Sequence, residues 1–347
     1  MYDDTRLSNH NEAVLKEKIK SEVASLYPEG LMLEFSSVCN LRCELCPAGS
    51  IGTGGQRGFM SGNLFNSIIQ ETVPFLYSGI LINGQGEPLT DPDFIRKINV
   101  LKENNVAVRT LFTNGTLLKR FADEIVESGI INTIAIGIEG STQETYERYR
   151  RGGRLCDITE GIKLINEKKR ERNTKIPRIQ INTVVLRSNE SEIEHIREIA
   201  IQLDADFSLK SSWFVSAING EVKIDSKTLE WLPEDRTIWA YPVKETENGD
   251  IVIDINHPSR YRGCHWQYRN TFIRYNGEVY TCDCDQTHRF LKMGQLNYPD
   301  TGIREIWNNE AYREHRRRIN TDITSHPFCR VCPRFFGRVR FSKSKRR

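Results

Sequence analysis

Cys39, Cys43 and Cys46 stand in CNLRCELCPAG at C-x3-C-x2-C spacing, just after the apolar run LMLEF at 31–35. Thiolate sulfur is the usual ligand of iron in clusters, so three cysteines within eight residues can hold three corners of a four-iron cubane. The fourth iron would stay open to an added ligand, unlike an electron carrier closed by four cysteines. A zinc ion is the competing use, but three closely spaced thiolates leave its tetrahedron one ligand short. A second group lies downstream at Cys264, Cys282, Cys284, Cys329 and Cys332, with Cys156 alone between the two. Nine cysteines in a chain of 347 residues, in a reducing compartment, favour metal or redox chemistry over a disulfide framework.

The elements that must position these thiols follow from periodicity. Strand-like runs at Leu31, Gly79, Val106, Thr133, Arg178 and Asp206 alternate with amphipathic helical stretches. Six such units predict a parallel sheet and an α/β partial (β/α)6 TIM-like barrel, open on one side. Sites in such folds gather at the C-terminal ends of the strands. The cysteine loop follows the first strand, GQGEP (84–88) the second, TNG (113–115) the third and EGS (139–141) the fourth, so four segments share one rim.

The expected organisation is a helical lead within 1–28 (helix over Asn11–Leu26), the barrel over 29–214, and a polar linker with one short hairpin over 215–262. A second cysteine module over 263–335 and a basic tail over 336–347 complete it. In FIRYNGEVYTCDC, Asn276 and Gly277 predict a hairpin with a type I′ turn.

Composition narrows the function. No apolar run approaches the ~20 residues of a membrane span. MYDDTRLSNHNEAVLKEKIK has no signal-peptide pattern, so the expected location is the cytoplasm. A net charge of +3 argues against nucleic-acid binding by the whole-chain field. YREHRRRIN around Arg313–Asn320 and the tail GRVRFSKSKRR read as a solvated helix face and a frayed end, with contact to an anionic substrate or partner as the alternative.

VCNLRCELCPAG, at the end of a first barrel strand, resembles the cluster signature of the radical S-adenosylmethionine superfamily. The resemblance implies a [4Fe-4S] cluster whose open iron chelates the amino and carboxylate groups of S-adenosylmethionine. One electron, from a reductant such as flavodoxin or ferredoxin, then yields a 5′-deoxyadenosyl radical that abstracts hydrogen from substrate. Leu45 occupies the position, usually aromatic, near the adenine. Gln85, Gly86, Glu87 and Pro88 match three positions of the family's Gly-Gly-Glu-Pro run, which holds the methionine amino group; a plain turn is the alternative. Thr113 and Asn114 correspond to the polar third-strand end, and Glu139 to the ribose contact. Arg150 or Arg151 corresponds to the carboxylate contact, or is a helix-end cation. Leu186 is a backbone contact to adenine or a core residue.

The spacing Gly277-x4-Cys282 with Cys264, Cys329 and Cys332 is similar to the C-terminal extension of SPASM and twitch radical enzymes. No cysteine follows Cys332, which implies one auxiliary [4Fe-4S] cluster, held by Cys264, Cys282, Cys329 and Cys332, with Cys284 spare. A zinc ribbon is the competing use. Cys156 reads as a small buried hydrophobe.

In ligand spacing the module resembles enzymes that oxidise a secondary alcohol of an aminocyclitol. The implied reaction is oxidation, epimerisation or rearrangement of a small polar molecule such as a sugar. The alternatives are modification of a ribosomally made peptide and a non-catalytic, metal-stabilised binding protein. For a proton acceptor the candidates are His265, Arg187 and Lys210; His288 and His326 read as surface or packing residues.

Overall fold

Leu118, Phe121, Ala122, Ile125 and Val126 recur at helical spacing and are all buried, and Gly129 ends their helix in the left-handed region at φ 66°. Such helices alternate with short strands rich in leucine and isoleucine. The structure, a computed structural model, describes residues 3–46, 57–211, 224, 226–239, 242–254, 257, 264–283 and 291–332. The elements run α1 (Asp3–Lys18), β1 (Gly30–Leu33), α2 (Gly62–Thr72), β2 (Gly79–Ile82), α3 (Phe94–Glu103), β3 (Val108–Thr113), α4 (Leu118–Ser128), β4 (Thr133–Gly137), α5 (Gln143–Tyr149), α6 (Leu155–Glu171), β5 (Arg178–Val184), α7 (Ile193–Gln202) and β6 (Asp206–Lys210). They continue as α8 (Ser226–Trp231), β7 (Val243–Glu245), β8 (Ile251–Ile253), α9 (Trp266–Arg269), β9 (Asn270–Ile273), β10 (Glu278–Tyr280), β11 (Lys292–Gln295), α10 (Ile303–Trp307) and α11 (Glu310–Asp322).

Strands β1 to β6 pair in sequence order, all parallel, as the partial barrel requires. The sheet does not stop at β1. Strand β9 pairs parallel to β1, with Leu33 opposite both Ile82 and Ile273, and the β10–β11 ribbon extends the order to β11-β10-β9-β1-β2-β3-β4-β5-β6. The second cysteine module is thus hydrogen-bonded into the barrel sheet.

Alternation along β1 and β2 divides the interior. Leu31, Leu33, Ile80 and Ile82 join the large core under the helices, whereas Met32 and Leu81 face the other way, into a group with Trp266, Phe272 and Tyr280. At the seam Glu34, fully buried, accepts from the Gln85 N–H (2.8 Å), Arg274 Nε (3.2 Å) and the Tyr275 N–H (3.3 Å). One carboxylate therefore ties β1, the loop after β2 and the β9–β10 turn.

Several local expectations are corrected. The leading helix spans Asp3–Lys18, earlier than Asn11–Leu26. The β9–β10 turn is not type I′: Gly277 alone takes positive φ (82°), its N–H bonds Arg274 C=O, and the Arg274 N–H bonds Glu278 C=O. A turn closed by a glycine bulge results, because Asn276 keeps an ordinary φ. The basic stretch in α11 is no solvated face throughout. Arg316 is fully buried among Tyr268, Trp307 and Tyr312 and donates to the carbonyls of Gln267, Trp307 and Glu22. It bonds the segment after α1 to the C-terminal helices. Cys156, expected buried, is exposed in the first turn of α6.

Between β6 and α9, α8 and the β7–β8 hairpin share a small core of Ile224, Leu232 and Trp239. Among the described residues no helix is long and apolar enough to cross a membrane. Cys284, His288 and the basic tail lie outside the described residues.

Candidate metal centre

The loop that follows β1 is held on every side by backbone bonds. The Arg42 and Glu44 N–H groups donate to the carbonyls of Arg151 (3.0 Å) and Tyr149 (3.2 Å), capping the open carbonyl end of α5. The Glu87 N–H donates to Val38 C=O (2.8 Å), and Ser37 and Gly58 bond each other. Cys39, Cys43 and Cys46 then lie together with Leu41, Leu45, Tyr149, Val184, Leu186 and Trp231, a group that contains no fourth cysteine among the described residues. Burial pushes the Cys43 thiol up to about 12 and raises Cys39, against the pull of Arg150 on the former and of the Leu41 N–H on the latter. Thiols so placed ionise readily only beside a bound cation, which suits an iron cluster as the occupant.

The predicted cofactor residues converge on this loop, though several are engaged with one another. Glu87 is buried, and its carboxylate accepts from Thr113 Oγ1 (2.7 Å), the Asn114 N–H (2.6 Å) and the Leu89 N–H (3.0 Å). It clamps the loop after β2 to the end of β3. Gly86 lies where a Cβ would come within 2.4 Å of Ser36 C=O and 2.6 Å of Val38 C=O. Asn114 Nδ2 reaches Asn40 Oδ1 (2.9 Å) and lies 4.0 Å from Cys39 Sγ.

Glu139 and Arg150 form a two-pronged ion pair, Nε–Oε2 2.5 Å and Nη2–Oε1 3.1 Å. Glu139 is fully buried and the Arg150 side chain is 19% exposed; a Cβ on Gly137 would meet the guanidinium at 1.9 Å. Of the two candidate arginines, Arg150 is the one paired with Glu139. Arg151 is two-thirds exposed and pairs with Glu44, as does Lys227 (3.6 Å). Leu186 has both backbone groups committed, its N–H to Asn189 Oδ1 (2.9 Å) and its C=O to the Asn189 and Glu190 N–H groups, so its side chain is what reaches the cysteines.

Two aromatic residues at the site escaped the sequence reading. Tyr149 stacks edge-on against Trp231, centroids 5.7 Å apart. Trp231 comes from α8, held by the Arg187 N–H to Trp231 C=O and by Arg187 Nε to Leu232 C=O. Arg187, a candidate proton acceptor, is thus a strut. Lys210 and His265 are exposed at the end of β6 and before α9.

The second centre gathers Cys264, Cys282, Cys329 and Cys332 with Met32, Trp266, Phe272, Tyr280, Leu291, Ile319 and Phe328. Asn83 at the end of β2 donates to Asp283, next to Cys282 (3.3 Å). His326 is buried, neither surface nor simple packing: its Nδ1 accepts the N–H groups of Phe328 (3.2 Å) and Cys329 (3.0 Å). Burial lowers His326 to about 4 and His315, whose ring lies edge-on 5.2 Å away, to about 3. Among the described residues the one group of His, Cys, Asp or Glu with all its ligand atoms within 4.8 Å is His315, His326 and Cys329.

A sequence profile described as the radical SAM superfamily matches residues 33–200, and one described as an iron-sulfur cluster-binding SPASM domain matches 264–333. The chain is 25% identical to the AdoMet-dependent heme synthase of Methanosarcina barkeri over 83% of its own length and 85% of that protein's. It is 28% identical to the tungsten-containing aldehyde ferredoxin oxidoreductase cofactor-modifying protein of Pyrococcus furiosus, over 87% and 86%. Among solved structures it is similar to Streptococcus suis SuiB bound to S-adenosylmethionine, with a TM-score of 0.61 at 18% identity over 94% of this chain and 76% of that one.

Proposed function

We propose that this chain, which belongs to the radical S-adenosylmethionine superfamily and carries a SPASM-type iron-sulfur domain, uses Cys39, Cys43 and Cys46 to hold the [4Fe-4S] cluster that binds S-adenosylmethionine. Its reaction is the oxidation, epimerisation or rearrangement of a small polar molecule of the sugar or aminocyclitol kind. The bound cluster would supply one electron to split the sulfonium into methionine and a 5′-deoxyadenosyl radical, which takes a hydrogen atom from substrate. For an oxidation, an auxiliary cluster on Cys264, Cys282, Cys329 and Cys332 would accept the electron that the substrate radical sheds with its proton.

The observation that carries this reading is three thiols in one group, without a fourth cysteine among the described residues, beside the ion pair of buried Glu139 with Arg150. Glu139 fixes the fork of Arg150, whose remaining donors suit the methionine carboxylate. Glu87, Thr113 and Asn114 hold the loop of Gly86 against the cysteine loop. Leu45, Leu186, Tyr149 and Trp231 offer an apolar wall for adenine, the two rings making up for the aliphatic residue at 45. The electron donor is a flavodoxin or ferredoxin. The names of the heme synthase and of the cofactor-modifying protein support a small-molecule substrate over a peptide, whereas the likeness to SuiB supports the fold alone.

The test is anaerobic reconstitution with metal and sulfide analysis. About eight irons per chain are expected for two cubanes, with 5′-deoxyadenosine formed only when a reductant is present. Zinc in place of iron, or a fourth protein ligand on the first cluster, overturns the proposal. Cofactor turnover stimulated by peptides and by no sugar or aminocyclitol overturns its substrate class.

A further inference from the structure

His315 projects from α11 into the group of the second cysteines, and its Nδ1 is buried with no hydrogen-bond partner. A buried ring nitrogen that has left water behind destabilises the fold unless a partner meets it. A ring nitrogen of His315, one of His326 and the Cys329 sulfur lie within 4.8 Å of one another. Three such groups suggest a single-ion site at first sight, but His326 rules itself out as a ligand. Two backbone N–H groups point at its Nδ1, so the proton of the neutral ring sits on Nε2 and no lone pair is left there for a metal. His326 is instead a fixed wall, clamped to the backbone of Cys329 and packed edge-on against His315.

That leaves the Cys329 sulfur as the cysteine atom within 4.8 Å of a His315 ring nitrogen. As a thiol its sulfur accepts weakly; as a cluster-bound thiolate it carries charge and accepts strongly. We propose that His315, oriented by His326, donates a hydrogen bond to the Cys329 thiolate and thereby raises the reduction potential of the auxiliary cluster, an inference that rests on reading Cys264, Cys282, Cys329 and Cys332 as its ligands. Hydrogen bonds to ligand sulfur withdraw electron density from it and favour the reduced cluster. His315 is thus a positioning residue that helps the auxiliary centre receive an electron.

The test uses the chain carrying Cys39→Ala, Cys43→Ala and Cys46→Ala, so that only the auxiliary cluster reports. Its midpoint potential is read by EPR-monitored titration. His315→Phe keeps the ring and removes both nitrogens: the midpoint should move to more negative values with iron per chain unchanged. His315→Gln, which retains an N–H donor, should recover part of the shift. An unchanged midpoint in His315→Phe at full iron content overturns the proposal. Pulsed EPR of the unaltered His315 parent, labelled with 15N-histidine, provides a measurement independent of folding in the variant. A weak coupling to a histidine nitrogen is expected; no coupling, or the strong coupling of a directly bound nitrogen, overturns it. A parent that holds no iron at the second site overturns the ligand reading itself, and metal analysis distinguishes that outcome from the others.

Discussion

The two cysteine centres share a ligand type and differ in nearly everything around it. The first sits among charges: Arg150 with Glu139, and Arg151 and Lys227 with Glu44. The second is walled by Met32, Trp266, Phe272, Tyr280, Leu291 and two neutral histidines. Charges with spare donors suit a centre that must hold a zwitterionic cofactor. An apolar, four-cysteine enclosure suits one that only stores an electron. Strand β1 serves both, since its C-terminal end opens into the first loop while Met32, on its inner face, packs against the second group. A shared strand with alternating faces lets one element border both centres.

The comparison breaks most sharply by removing one set of ligands. Replacing Cys39, Cys43 and Cys46 by alanine should abolish 5′-deoxyadenosine formation yet leave about four irons per chain, counted by metal analysis. Loss of the remaining iron as well would overturn the reading of Cys264, Cys282, Cys329 and Cys332 as ligands of a second cluster. Next in size is Arg150→Met, which strands the buried Glu139 carboxylate. A loss of about 3–5 kcal/mol is expected in denaturant unfolding. Gly86→Ala should lower cofactor cleavage by about 10²-fold with iron content intact, since its Cβ cannot fit beside Ser36 C=O and a shift near 1 Å in a positioning loop is that costly. Arg151→Ala or Lys227→Ala, at exposed partners of Glu44, should cost no more than about 1 kcal/mol. A larger loss in the last pair would mean that the rim charges, and not Arg150 alone, define the first centre.

Periodicity fixed the β1-to-β6 order, because each strand and helix is a local pattern and parallel neighbours in sequence need only a short crossover. Ligand spacing likewise picked out the two cysteine groups, because it is a local pattern, whereas the loops of Gly86, Asn114 and Glu139 were singled out by family resemblance and by their place at the strand ends. The sequence could not report pairings between distant segments. That Glu139 is bound to Arg150, that Trp231 arrives from α8, that Arg187 is a strut, that β9 lies on β1 and that His315 faces Cys329 were decided by packing alone. Each brings together groups whose separation along the chain carries no signal, and each exists because burial leaves a charge, a ring or a strand edge that only a remote partner can satisfy.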